Sequence, residues 1–335
     1  MSEVNILHDK DASLDALEGK TVAVIGYGSQ GSAQANMMKL SGINVVIGET
    51  EELGGKKNPS WAKAKEDGFE VMKIDEAAKK ADIIHMLLPD EFHGRIYKEQ
   101  IEKHMERGKV LSCSHGFNIV YKQIVPPEGV DVIMVAPKAP ATEELKAYKE
   151  GFGVPGLVAV EKDASGRARD IALAMAKAMK FTRAGVLECT FKQETYEDLF
   201  GEQNVLCGGT VDLIKNGFEV LVEAGYPPEM AYFECLHELK LIVDLIYEGG
   251  IQKMNEVISN TAEFGEYYNG PKIITPDVKE RMKESLKRIE SGEFAKTWLE
   301  ENAKGKPNLL KNRKELGKHP IEIVGRKIRN LFEKN

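Results

Sequence analysis

The sequence predicts an α/β fold in which an N-terminal Rossmann-like, doubly wound sheet is followed by an all-helical C-terminal domain. Short apolar runs alternate with helical segments up to about residue 189, and a glycine-rich turn, GYGSQG, follows the first run. From residue 190 onward long helical segments replace the strand pattern. A βα alternation predicts a mostly parallel sheet with helices on both faces. We therefore predict a dinucleotide-binding domain over 1–189 and a helical domain over 190–335.

The first predicted strand leads directly into the glycine turn. TVAVIG (21–26) is an apolar run, Ser32–Leu40 reads as a helix, and Ile43–Gly48 reads as the second strand. In this context the glycines allow a tight turn and the approach of backbone to a pyrophosphate at a helix N-terminus, whereas a merely structural turn is the alternative. The predicted cofactor contacts are Gly26, Tyr27, Gly28, Ser29, Gln30 and Gly31.

The remaining elements of the first domain continue the alternation. Five further apolar runs predict strands at Glu70–Ile74, Ile83–Leu88, Val110–Ser112, Val130–Ala136 and Gly156–Val160. Helical segments between and after them are predicted at Ser60–Asp67, Asp75–Lys80, Glu91–Met105 and Ala164–Met179. The last of these helices closes the sheet domain.

The end of the second strand bears on the choice of cofactor. Glu49 stands there and can accept hydrogen bonds from the ribose hydroxyls, while its charge repels a 2'-phosphate. This favours NADH, and two glutamates at positions 51 and 52 add to the repulsion. The same loop carries Lys56, Lys57 and Ser60, which can hold a phosphate, so NADPH stays open.

The second domain is predicted to consist of helices alone. The helical segments are Glu194–Lys215, Pro228–Tyr247, Gln252–Glu263, Pro276–Ser291 and Lys311–Glu333. Pro227-Pro228 is typical of a helix start, and Gly249-Gly250 of a helix end.

Two pairs of carboxylates at helical spacing suggest a metal site in this domain. The pairs are Asp198/Glu202 and Glu234/Glu238, and the segment from Tyr232 to Gly249 is apolar almost all round its axis. Such a pattern predicts a buried helix, so the second pair is expected to point into the interior. Ionised carboxylates there need a cation, and oxygen ligands suit Mg²⁺.

A di-iron site is a weaker alternative to the Mg²⁺ site. Glu234 and His237 form Glu-x-x-His, which di-iron bundles use on two helices. The segment beginning at Asp198 has no second copy, so His237 is interpreted as a packing residue.

Composition excludes several other classes. A net charge of -7 without a basic stripe argues against a nucleic-acid partner. The chain has no signal-peptide pattern and no apolar run of the ~18 residues that a membrane span needs. Its four cysteines lack the CxxC spacing of zinc sites and give no disulfide framework. We expect a cytoplasmic protein with no membrane partner.

Six segments of the sequence resemble the ketol-acid reductoisomerase (acetohydroxy-acid isomeroreductase) family. They are GYGSQG (26–31), SHGF (114–117), MVAPKAP (134–140), DLFGEQNVLCGG (198–209), ECLHELKLIVDLIYEGG (234–250) and SNTAEFG (259–265). The chain is similar to the short form of the family, with a single helical domain. The resemblance implies that this domain is knotted and that the enzyme is a homodimer or a higher homo-oligomer with an active site shared between subunits.

The implied reaction has two steps in valine and isoleucine biosynthesis. The substrate is 2-acetolactate or 2-aceto-2-hydroxybutyrate, and an Mg²⁺-dependent migration of an alkyl group is followed by reduction with NAD(P)H to the 2,3-dihydroxy acid. Two Mg²⁺ ions can lower the pKa of a bound hydroxyl and polarise the carbonyl, which agrees with four carboxylate ligands.

The resemblance also implies roles for particular residues. Asp198 would bridge the two ions, Glu202 would bind one, and Glu234 and Glu238 would come from the partner subunit. Ser259 would contact the substrate carboxylate. Catalytic roles are implied for His115, Lys138 and Glu202. Further contacts to the cofactor are expected from Ser60, Leu88, Pro89, Asp90, His93 and Ala141.

Two features depart from the family pattern. Ala141 stands where the family usually has a glycine close to the cofactor, which puts that one contact in doubt. The loop after Glu49 is longer than usual and lacks the common basic residue, which favours NADH.

Two other functions remain as alternatives. One is a metal-independent hydroxyacid dehydrogenase of the 3-hydroxyisobutyrate or 6-phosphogluconate type. The other is a non-catalytic NAD-binding protein. Loss of activity on removal of Mg²⁺ separates the first from the implied reaction, and turnover of acetolactate separates the second.

Overall fold

The structure, a computed structural model, describes residues 5–332 and divides into two units between Thr195 and Tyr196. The strands are β1 (Ile6–Leu7), β2 (Thr21–Ile25), β3 (Asn44–Gly48), β4 (Glu52–Leu53), β5 (Lys56–Lys57), β6 (Glu70–Met72), β7 (Ile83–Met86), β8 (Val110–Cys113), β9 (Asp131–Pro137), β10 (Gly156–Lys162) and β11 (Val186–Glu188). All of them belong to the first unit. The predicted order of a strand-rich part followed by a helical part is confirmed.

Over residues 5–332, nine strands form one sheet in the order β1-β11-β10-β9-β8-β7-β2-β3-β6, and β4 and β5 form a separate hairpin. The run from β9 to β6 is parallel throughout. Strand β10 runs antiparallel to β9, and β1 runs antiparallel to β11. The mostly parallel, doubly wound sheet is therefore confirmed. The short edge pair β1 and β11 was not predicted.

The helices of the first unit cover both faces of the sheet. They are α1 (Ser29–Leu40), α2 (Pro59–Glu66), α3 (Ile74–Lys80), α4 (Asp90–Ile96), α5 (Phe117–Val120), α6 (Ala141–Lys149), α7 (Ala168–Ala178), α8 (Phe181–Ala184) and the start of α9 (Phe191–Gly201). Successive side chains of a strand point to opposite faces. In β2, Val22 and Val24 accordingly enter one hydrophobic cluster, whereas Ala23 and Ile25 enter the other, and all four are fully buried.

The second unit contains only helices within the described part of the chain. After α9 come α10 (Gly208–Glu223), α11 (Pro228–Tyr232), α12 (Leu239–Val257), α13 (Asn260–Ile273), α14 (Pro276–Glu290), α15 (Glu293–Ala303), α16 (Pro307–Leu316) and α17 (Pro320–Phe332). Its core is a small cluster in which Phe218 of α10 and Tyr232 of α11 pack with Ile321, Val324 and Ile328 of α17.

Several predicted helix boundaries in this unit are wrong. The predicted segment Gln252–Glu263 is interrupted at Ser259, whose hydroxyl accepts a hydrogen bond from the Ala262 N–H at 3.2 Å and so caps α13. The segment Lys311–Glu333 is split where α17 begins at Pro320, and α15 was not predicted. At Gly250 the backbone turns to φ 81°, so the expected end of a helix is a kink inside α12.

The expected burial of Glu234 and Glu238 is wrong for the chain by itself. Both residues are exposed, and along the same segment Leu241 is 55% and Tyr247 90% exposed. The cluster formed by α10, α11 and α17 covers only the beginning of this segment. The segment is apolar as predicted, but within residues 196–332 no second layer covers most of α12.

Candidate active site

Five loops that carry predicted site residues leave the same edge of the sheet. Strands β2, β3, β7, β8 and β9 are parallel, so their carboxyl ends lie together. These ends are followed by the glycine turn, Glu49, Leu88–Asp90, His115 and Lys138 respectively. In doubly wound sheets ligands bind outside this edge, at the point where the strand order reverses.

The glycine turn is shaped to admit a pyrophosphate. Gly26 has φ 95°, and a Cβ on Gly31 would lie 2.1 Å from the Gly26 carbonyl oxygen, so neither position tolerates a side chain without a shift. A Cβ on Gly28 would meet nothing within 4 Å. Gly28 also precedes α1 with no side-chain cap, which leaves the first N–H groups of the helix for an anion. The turn therefore fits the dinucleotide.

Glu49 is bonded to the turn itself. Its carboxylate is 7% exposed and accepts hydrogen bonds from the Tyr27 N–H at 3.0 Å and the Thr50 N–H at 2.8 Å. The Tyr27 side chain points away into the protein, where its hydroxyl donates to Asp67 at 2.7 Å. Glu49 thus shapes the turn as well as placing a negative charge at the end of β3.

Several of the other predicted cofactor residues make internal contacts. Nε2 of His93 lies 2.6 Å from the Leu88 carbonyl oxygen, and burial lowers the pKa of His93, so the ring is a neutral donor. Burial raises the pKa of Asp90, which follows Pro89 at the start of α4. Ser60 lies in the first turn of α2, and Ala141 is the first residue of α6.

A buried carboxylate, Glu194, holds the loop that carries His115. Nδ1 of His115 lies 3.1 Å from both Glu194 oxygens, the Gly116 N–H donates to Oε2 at 3.0 Å, and Nζ of Lys138 is 3.5 Å from Oε1. Burial would raise the pKa of Glu194, but the hydrogen bond from His115 and the charges of His115 and Lys138 outweigh it, so the pKa lies below its ordinary value. Glu194 is ionised and 1% exposed.

Sequence reasoning missed Glu194 as a site residue and named it only as a helix start. A signal was present, because Glu194 precedes Asp198 by four residues just as Asp198 precedes Glu202. Glu194 and Asp198 are both on α9, and Glu202 begins the turn after it. Gly116 is also part of this arrangement, since a Cβ there would lie 2.3 Å from the Thr195 hydroxyl oxygen.

One residue of each predicted metal-ligand pair lies in a π-helical turn. Glu202 begins the π turn Glu202–Leu206 at the end of α9, and Glu234 lies in the π turn Phe233–His237 before α12. Such turns are rare in proteins, and many of those that occur are at functional sites. All four predicted ligands are carboxylates, a donor set that fits Mg²⁺. Ser259 is exposed at the N-terminus of α13.

The fold and the site define a dinucleotide-dependent oxidoreductase with a helical second unit. Residues 16–185 match the family described as acetohydroxy acid isomeroreductase, NADPH-binding domain, and residues 191–334 match that described as ketol-acid reductoisomerase, C-terminal domain. The chain belongs to the ketol-acid reductoisomerase family. It is accordingly an NAD(P)-dependent oxidoreductase of branched-chain amino acid biosynthesis.

Three relatives show how far the likeness extends. A ketol-acid reductoisomerase (NADP(+)) of Akkermansia muciniphila is 68% identical over 99% of this chain and all of its own length. A ketol-acid reductoisomerase (NAD(+)) of the uncultured archaeon GZfos26G2 is 66% identical over 98% of this chain and 99% of its own. The solved structure of an NADH-preferring ketol-acid reductoisomerase from an uncultured archaeon matches with a TM-score of 0.97 and 66% identity, covering 98% of this chain and all of that one.

These findings confirm the family resemblance and set aside the two alternative functions. Among residues 5–332, no helix is both long and apolar enough to cross a membrane.

Proposed function

We propose that this enzyme converts 2-acetolactate or 2-aceto-2-hydroxybutyrate to the 2,3-dihydroxy acid in two steps, with NADH as the preferred reductant and two Mg²⁺ ions. The observation that carries the proposal is the contact of His115 and Lys138 with the ionised Glu194. One helical turn beyond Glu194 stands Asp198, and Glu202 follows one turn later. The carboxylate that contacts His115 and Lys138 is therefore followed along the chain by the two carboxylates proposed to bind metal.

The residues of the first unit have separate tasks in this proposal. The glycine turn binds the pyrophosphate and so places the nicotinamide at the carboxyl edge of the sheet. Glu194 holds the His115 ring by Nδ1 and so fixes the direction of Nε2, the nitrogen assigned to the substrate. Lys138 offers a positive charge beside the oxygens of the anionic substrate.

The proposed metal ligands are Asp198 and Glu202 of one subunit with Glu234 and Glu238 of another. When bound, two Mg²⁺ ions lower the pKa of the substrate hydroxyl and polarise its carbonyl group. The exposure of Glu234 and Glu238 supports a partner subunit, because carboxylates on an uncovered surface are available to a second chain. The substrate carboxylate is assigned to Ser259 at the N-terminus of α13, where helix N–H groups favour an anion.

The preference for NADH is inferred from the charge beside β3. Glu49 is buried against the turn, where a 2'-phosphate on the adenosine ribose would bring two negative charges close together. The archaeal relative of known structure, which is 66% identical to this chain, is likewise described as NADH-preferring. The test is kcat/KM with both cofactors, and a higher value for NADPH overturns the inference.

The reaction is tested by following NADH oxidation with 2-acetolactate. We expect turnover with Mg²⁺, none after EDTA, and recovery when Mg²⁺ is added back. Glu234→Gln should abolish turnover and leave NADH binding intact, since it removes one ligand charge far from the glycine turn in sequence. Glu229→Gln changes a neighbouring exposed glutamate and should behave as wild type. Full activity in EDTA contradicts the metal-dependent reaction.

Sharing of the site between subunits has its own test. Asp198→Asn and Glu234→Gln are each expected to be inactive, and the two variants are then co-expressed. If the pairs from different subunits meet, a mixed dimer contains one intact site, and random assembly restores about a quarter of the sites. If each subunit holds its own four carboxylates, no mixed dimer has an intact site and activity stays absent.

A further inference from the structure

A histidine is fully buried in the middle of the sheet, away from the predicted metal ligands. His85 of β7 is 0% exposed, and both of its ring nitrogens are bonded. Nδ1 lies 2.8 Å from the Ser112 hydroxyl oxygen on β8, and Nε2 lies 2.8 Å from Oε1 of Gln34 on α1. Burial lowers the pKa of His85 to about 3, so the ring is neutral.

The tautomer of this ring follows from its partners. The amide oxygen of Gln34 can only accept, so Nε2 of His85 carries the proton and donates it. Nδ1 then has a lone pair, and it accepts a hydrogen bond from the Ser112 hydroxyl. His85 is therefore a fixed link between α1 and β8, with one arrangement of its hydrogen bonds.

Gln34 connects His85 to two segments at the carboxyl edge of the sheet, the glycine turn and the loop of His115. It is 0% exposed, and its Nε2 donates to Oε1 of Gln30 at 2.9 Å and to the Ser114 hydroxyl at 3.0 Å. The Ser114 hydroxyl group also lies 3.2 Å from Oε1 of Gln34, to which it can donate. Gln30 belongs to the glycine turn, and Ser114 precedes His115. A continuous set of hydrogen bonds, buried at His85 and partly buried at Gln30 and Ser114, thus joins the cofactor turn to the His115 loop.

Such a network does more to fix positions than to add stability. A buried hydrogen bond contributes little net free energy, and an apolar set of similar shape can replace it at small cost. A broken network leaves polar groups unpaired, so the satisfied arrangement is strongly preferred over shifted ones. The hydrogen bonds of His85 and Gln34 therefore define the distance between α1 and the end of β8.

We propose that His85 and Gln34 are positioning residues that hold the cofactor turn in register with the loop of His115. Both residues are 0% exposed and act through Gln30 and Ser114, which Gln34 contacts directly. The proposal rests on the proposed function for its effect on turnover, whereas its effect on cofactor binding needs only the dinucleotide.

The test compares His85→Leu, Gln34→Leu and the double variant with the wild-type enzyme. The Kd of NADH is measured by quenching of protein fluorescence, kcat by NADH oxidation with 2-acetolactate, and Tm by calorimetry. We expect each single variant to lower kcat about 10- to 100-fold through misplacement of the reacting groups and to raise the Kd of NADH several-fold. The double variant should be no worse than the more affected single one, because either change breaks the same network.

Rescue and a control separate positioning from a structural role. His85→Gln returns a donor at the place of Nε2 and should recover most of the loss in kcat and Kd. His104→Leu removes a histidine that pairs with Asp75 outside this network and should leave both values unchanged. If either leucine variant fails to fold, Ser112→Ala removes one hydrogen bond of His85 and is expected to show the same effects in milder form.

Variants that lower only Tm, with kcat and the Kd of NADH at wild-type values, overturn the proposal. Additive losses in the double variant overturn it as well. If the wild-type enzyme binds NADH but does not turn over acetolactate, the proposed function fails. In that case the Kd values and their rescue by His85→Gln still decide whether these residues hold the cofactor turn.

Discussion

The surroundings of Glu144 raise its pKa, which the sequence does not indicate. It lies on α6 and is 0% exposed, and its Oε1 accepts a hydrogen bond from Gln30 of the glycine turn at 2.7 Å. Among the described residues, its other oxygen has no hydrogen-bond partner. Burial raises the pKa of Glu144 from 4.5 to about 7, against the opposing effect of Gln30. Near neutral pH the carboxyl group is therefore partly protonated.

The raised pKa of Glu144 predicts a pH dependence of stability. Between pH 4.5 and about 7 the folded protein keeps a proton that the unfolded chain has lost, so the free energy of unfolding falls as pH rises through this window. Glu144→Gln keeps the acceptor for Gln30 and has no charge. We expect it to match wild type at pH 4.5 and to exceed it at pH 8 by at most about 3 kcal/mol in urea unfolding. Glu143→Gln, an exposed neighbour, is the control, and a gain independent of pH contradicts the assignment.

Glu49 allows a second prediction at this scale. Glu49→Gln removes the charge that opposes a 2'-phosphate. Coulomb repulsion between two unit charges about 4 Å apart corresponds to about 1 kcal/mol in water. The ratio of kcat/KM for NADH to that for NADPH should therefore fall about fivefold. The exposed Glu51→Gln is the matched control and should change the ratio less. An unchanged ratio in Glu49→Gln means that the charge at this position does not select the cofactor.

The residues of the site differ in how well the sequence reveals them. The glycine turn was predictable because three glycines in a strand–turn–helix context have one physical explanation. Glu194 was not, since a glutamate near a helix start is common, and only the fold brings His115 and Lys138 to it. His85 was likewise invisible, because its partners lie on α1 and β8, far from it in sequence.

At the scale of elements, the two π turns at the predicted metal ligands show where helical periodicity misleads. The spacing of four residues in Asp198/Glu202 and Glu234/Glu238 predicted continuous α-helices. The structure instead has π turns at Glu202–Leu206 and Phe233–His237. Propensity does not distinguish the two kinds of turn, so the exact angle between the carboxylates could not be predicted. The doubly wound sheet was predictable, because its strands are apolar runs separated by helices.

Two glycines flank the π turn Glu202–Leu206, and only one of them lacks room for a side chain. A Cβ on Gly208 would lie 2.0 Å from the Gln203 carbonyl oxygen, whereas a Cβ on Gly201 would meet only Leu206 at 3.8 Å. Gly208→Ala should therefore force the turn open, displace Glu202, lower Tm and raise the Mg²⁺ concentration needed for half-maximal activity. Gly201→Ala should leave the Mg²⁺ requirement unchanged and can raise stability by about 0.5 to 1 kcal/mol. An equal Mg²⁺ requirement in both variants contradicts a role of the π turn in placing Glu202.

At the scale of the whole molecule, the helical unit leaves much apolar surface uncovered. Leu241, Tyr247 and Ile251 of α12 are 55%, 90% and 60% exposed, and Phe264 and Tyr268 of α13 are 68% and 58% exposed. Large exposed apolar patches mark interfaces. The burial that the sequence predicted for α12 is wrong for the single chain. An apolar pattern predicts that a helix is covered, but it does not tell whether the covering layer belongs to the same chain or to another.

This surface predicts that association is required for turnover but not for cofactor binding. Ile251→Asp places a charge in the apolar surface and should give a monomer by sedimentation, with the rate of acetolactate turnover falling to background. NADH binding should persist, because the glycine turn and the sheet form a unit with hydrophobic clusters of its own. Phe152→Asp puts the same charge at an apolar residue of the first unit that is 60% exposed and should remain a wild-type oligomer. A monomeric Ile251→Asp enzyme with full activity would show that one chain holds a complete site, and the proposal of shared metal ligands would then be wrong.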